Sequence, residues 1–135
     1  MAERHFTPEE ANELLDEVRP VAEELVARRR AFTVTTARRA RIASRIAGNG
    51  GDFDPQEPAA LEEQLGREAE AVVRCVERLE RLGVLVKDLD RGLVDFPALH
   101  RGEEVLLCWR VGEDEVAHWH GLEEGFAGRK ALPFD

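Results

Sequence analysis

Apolar residues return every three or four positions at Ala11, Leu14, Leu15, Val18, Val21, Ala22, Leu25 and Val26, then more sparsely at Phe32, Ile42, Ala43 and Ile46. That spacing paints one stripe along a helix. Phe6-Thr7-Pro8-Glu9-Glu10 supplies its start: Thr7 caps, Pro8 fits the first helical position, and Glu10 can reach back to close a capping box. A helix over residues 7–47 is predicted. Pro20 removes a backbone donor and predicts a kink, and the β-branched cluster Thr33-Val34-Thr35-Thr36 weakens the helix again, though it should survive both. Gly48 to Pro55 is loop by composition, placing a linker at 48–57. A second stripe, Leu61, Leu65, Ala69, Val72, Val73, Val76, Leu79 and Leu82, predicts a helix over 58–82 that stops at Gly83.

From Val84 the period shortens. Val84–Val86, Leu93–Phe96, Val105–Val111 and Val116–His120 read as short strands, separated by Gly-containing breaks at 90–92, 100–102 and 111–114. Residues 84–120 therefore form a β-meander of about four antiparallel strands, and 121–135 an irregular tail laid on it. The fold class is α+β, a long antiparallel helical hairpin followed by a small antiparallel meander, in one domain over 1–135. At 1.5 Å per residue the first helix would span roughly 60 Å and the second roughly 37 Å, against a globule of roughly 35–40 Å for a chain of this length. An elongated molecule follows, with the sheet docked on the first part of helix one, where helix two no longer reaches.

Several of these segments resemble a known family. Phe6-Thr7-Pro8-Glu9-Glu10-Ala11-Asn12, Val84-Leu85-Val86-Lys87-Asp88, Gly92-Leu93-Val94-Asp95-Phe96-Pro97, Leu107-Cys108-Trp109, His118-Trp119-His120 and Gly125-Phe126-Ala127-Gly128-Arg129 together look like the bacterial proteins grouped as domain of unknown function 2203. The resemblance covers nearly the whole chain and is weakest over 32–58. It implies the fold and a bacterial setting; it brings no reaction and no catalytic residue.

Composition narrows the function classes. Nineteen Lys+Arg against 28 Asp+Glu give a formal charge of -9, which works against general nucleic-acid or anionic-membrane binding. Arg28, Arg29, Arg30, Arg38, Arg39, Arg41 and Arg45 form a block without an acid, but Asp52, Asp54, Glu57, Glu62, Glu63, Glu68 and Glu70 face them across an antiparallel hairpin. Pairing between helices is the expectation, not RNA. No apolar run approaches the ~20 residues of a membrane span, and the start lacks signal-peptide grammar. Two cysteines in unlike segments make no disulfide framework, so the reducing cytoplasm is expected.

His118-Trp119-His120 carries the chemistry. Residues two apart on a strand share a face and can offer two imidazoles to one transition metal such as zinc. Cys108 falls beside His118 in one register and not in the next, Asp95 is a candidate carboxylate ligand, and His100, Glu123 and Glu124 are further candidates. The plainer alternative is that one histidine packs beside a tryptophan and bonds a carboxylate while the other is solvated. Cys75 reads as an inert core thiol, and Ser44, the only serine, lies far from any histidine. Two functions stay open: a dimeric hairpin scaffold, which the two half-covered helices favour, and a small metal-dependent hydrolase on the meander.

Overall fold

The computed structural model describes residues 2–48 and 54–134. Helix α1 (Pro8–Gly48) opens with the expected reciprocal cap, Glu10 N donating to Thr7 Oγ1 at 3.1 Å and Thr7 N to Glu10 Oε1 at 2.9 Å. It runs through Pro20 and through Thr33–Thr36 as one helix. Helix α2 (Gln56–Arg81) begins two residues before the Pro58 read from sequence. Its end is a glycine cap: Gly83 has φ 97°, and Val84 N returns to Leu79 O at 3.3 Å. Half of the predicted 48–57 loop, residues 49–53 with Asp52 among them, lies outside the described residues.

Five antiparallel strands follow in sequential order: β1 (Leu85–Asp88), β2 (Leu93–His100), β3 (Glu103–Arg110), β4 (His118–Gly121) and β5 (Lys130–Ala131). The fifth corrects the sequence reading. Residues 121–135 are not wholly irregular, because Lys130 and Ala131 pair with Trp119 and His118. A strand of two residues has no period to read. β2 also extends past Pro97 to His100, four residues beyond the predicted Phe96, with Pro97 O accepting the Phe6 backbone N–H at 2.7 Å.

The inner face of the sheet, Val94, Phe96, Ala98, Val105, Leu107, Trp109 and Trp119, shares one core with Phe6, Ala11, Leu14, Leu15, Val18, Val21, Ala22 and Leu25 and with Val72, Cys75 and Leu79 of α2. The sheet thus docks where the helix lengths required. Two polar residues of α1 fix the dock. Asn12 pairs with both backbone groups of Val116, at 2.7 and 3.2 Å, and Arg19 donates to Glu113 O and Asp114 O at 2.9 and 2.7 Å. Farther out, the hairpin is two helices alone, and Thr35, Ile42, Leu61 and Leu65 are its buried residues. Arg39–Glu62 at 3.2 Å and Arg45–Glu57 at 2.8 Å link them as predicted, whereas Arg38 and Arg41 have no ion-pair partner among the described residues. No helix among those residues is long and apolar enough to cross a membrane.

Candidate metal centre

The register that the sequence left open is settled by the strand pairing: Asp95 of β2 lies opposite Cys108 of β3, which lies opposite His118 of β4. Directly opposed residues point to the same face, so these three and His120, two residues farther along β4, share the outer face of the sheet. Asp95, Cys108 and His120 converge: one ligand atom from each lies within 4.8 Å of the others. All three are buried, at 2%, 0% and 3% exposure.

The hydrogen bonds of His120 define what the cluster needs. Nδ1 is 2.8 Å from Gly121 O, and since a carbonyl can only accept, Nδ1 carries a proton. Nε2 faces Asp95 Oδ1 at 3.3 Å. With the imidazole neutral, a lone pair meets a carboxylate there, so a proton or a cation must lie between them. Burial raises the Asp95 pKa, opposed by the charge and hydrogen bond of His120 and by Lys87 and Arg129. Burial likewise raises the Cys108 thiol, opposed by Arg129. A Cys-His-Asp relay would need one ring nitrogen on the thiol and the other on the carboxylate. Gly121 occupies one of them, so the three groups can converge on one ion but cannot relay a proton in line.

The tail closes over this face. Arg129 grips Glu113 with two bonds of 3.0 Å and lies 4.4 Å from the Phe126 ring centroid. Burial pushes the Glu113 pKa up, but Arg129 and the Arg110 N–H outweigh it and hold the carboxyl below its usual range. Neither Arg129 nor Glu113 was singled out from sequence as part of the site. The only hint was the Gly125–Arg129 segment, whose place on the sheet has no periodic signal.

The other candidates separate from the cluster. His100 lies on the inner face, stacked on Phe134 at 4.3 Å and 5.2 Å from Trp119. Glu123 is exposed, and Glu124 is held by Gly121 N at 2.7 Å and Lys130 Nζ at 2.6 Å. His118 shares the correct face, as expected, yet stands outside the converging group, half-buried, its Nδ1 enclosed and without a hydrogen-bond partner. Cys75 is a core thiol 3.6 Å from Glu24, its pKa raised by burial and by that carboxylate. Two of the larger surface hollows lie elsewhere, about 410 Å³ beside Pro20 and Arg78 and about 460 Å³ beside Asn12 and Phe134.

No curated protein and no solved structure matches the chain. A family model described as "Uncharacterized conserved protein (DUF2203)" matches residues 4–132, nearly the whole length, and the chain belongs to that family.

Proposed function

We propose that this protein binds a transition metal, zinc by the chemistry of its donors, at Asp95, Cys108 and His120, and that the ion stabilises the sheet rather than hydrolysing a substrate. The convergence of a thiol, an imidazole nitrogen and a carboxylate on one buried point carries the reading. His120 has the second-sphere bond typical of a metal-bound imidazole, Nδ1–H on a backbone carbonyl, which leaves Nε2 for the ion. Binding would displace the thiol proton and any proton held between Asp95 and His120, so affinity should rise with pH. Burial of all three ligands beneath the tail leaves a substrate no approach, which argues against the hydrolase. Elemental analysis of untagged protein should find stoichiometric metal that Cys108→Ser and His120→Ala remove. Metal-free protein that also takes up none on dialysis against zinc would end this reading.

A second reading concerns the hairpin, where Val34 and Val73 are 61% and 52% exposed on its outward faces. Arg30, Arg38 and Arg41 flank Val34, while Glu70 and Glu77 flank Val73, so the two faces are complementary in charge as well as apolar. Such faces suit a second copy of the chain, giving the homodimeric scaffold. Sedimentation at micromolar concentration should show a dimer that Val34→Asp dissociates, and a monomer throughout would remove it.

A further inference from the structure

We propose that His118 supplies the fourth donor to this ion, making a closed Asp-Cys-His-His centre whose metal has no position for water or substrate. This rests on the metal reading above. The register places His118 directly opposite Cys108 on the shared face. Its Nδ1 is enclosed without a hydrogen-bond partner, an unusual state for a ring nitrogen beside charged neighbours. Glu113 holds Arg129 through both oxygens and also receives Arg110 N–H, and Gly121 O takes His120. Structural zinc is four-coordinate and tetrahedral, and three donors here already converge. The His118 ring lies outside that group, so coordination requires it to turn toward Cys108. A metal-driven turn gives the orphaned nitrogen its partner.

Cobalt(II) in place of zinc reports both the number of ligands and the open positions. Wild-type protein should bind stoichiometric cobalt with the intense visible absorption of a tetrahedral thiolate site, and added azide should leave that spectrum unchanged. His118→Ala should bind cobalt at least about tenfold more weakly, and azide should now shift its bands by entering the vacated position. His118→Gln, checked by circular dichroism alongside it, serves if the alanine variant does not fold. A wild-type spectrum that responds to azide, or a variant with unchanged affinity and spectrum, overturns the fourth-ligand assignment while leaving the three-ligand site intact. No cobalt on wild-type protein removes the metal reading, and this assignment with it.

Discussion

The sheet end and the free end of the hairpin use polar residues in opposite ways. At the sheet end Asp95 and His120 are buried between the strands and the tail, each with a partner fixed by strand register. At the free end charge is abundant but shallow: Arg39–Glu62 and Arg45–Glu57 lie on the surface, over a seam of four buried side chains. A buried polar group is costly unless matched, so its neighbours are constrained, whereas a solvated pair can be exchanged with little loss. The buried polar residues of the sheet are therefore tied to their neighbours, and the many charges of the hairpin can be exchanged with little loss.

The largest test of this contrast is packing. Trp109 is fully buried between sheet and α1, its Nε1 donating to Glu113 O at 2.9 Å, and Trp109→Ala should cost about 3–5 kcal/mol in urea unfolding. Ile42→Ala, in the two-helix seam beside an open groove, should fall near the lower limit for such truncations, about 2 kcal/mol. Equal costs would mean that the free end is packed as tightly as the body. Metal removal comes next. Zinc at 100 times its Kd should add about 2.7 kcal/mol to stability, and hydrogen exchange should show the protection in β2, β3 and β4 and not in residues 29–48. Protection spread evenly along α1 would contradict a local site.

A smaller effect separates the proton from the metal. Because the native pKa of Asp95 is raised, the folded state keeps that proton to higher pH than the unfolded chain. Its contribution to stability is therefore full below the unfolded carboxylate value of about 4, falls as pH rises through the raised native value, and is level above it. Glu113, held below its usual value, acts oppositely, its contribution being lost as pH falls through the native value. Asp95→Asn places an amide where a protonated carboxyl would sit, able to donate to His120 Nε2. Metal-free, this variant should exceed wild type in stability at neutral pH, with the gap closing as pH falls toward the unfolded carboxylate value of about 4. It should bind no zinc. A destabilised variant at pH 7 would mean that the carboxylate is ionised and well paired.

The two regions also differ in how much of them the sequence discloses. Helical stripes, the Thr7–Glu10 cap and the Gly83 stop are local signals, and they place α1 and α2 within two residues. The shared face of His118 and His120 follows from strand period alone. What the period cannot supply is register, and one residue of slip would have put Trp109 or Leu107 beside His118 in place of Cys108. His100 shows the same limit: its chemistry fits a metal, but four residues of extra strand past Phe96 carry it to the inner face against Phe134. Arg129 was hidden because its role depends on where the tail crosses the sheet. β5 was hidden because two residues define no pattern.

The smallest expected effect bears on the free end and tests whether its charges are structural. Arg39 and Glu62 are half or more exposed, at 50% and 61%, and 3.2 Å apart, so their attraction is screened by water and salt. Arg39→Glu replaces that attraction with repulsion beside Glu62 and should destabilise the chain by less than about 1 kcal/mol. Restoring the order of charge with Arg39→Glu and Glu62→Arg together should recover most of the loss, and 1 M salt should shrink the single-variant effect. A reversal confined to this pair should leave zinc content unchanged, because Asp95, Cys108 and His120 belong to the sheet and not to the seam. If the single reversal instead abolished dimerisation without altering monomer stability, the arginine block would act between chains, and the pairing seen within one hairpin would be incidental to its use.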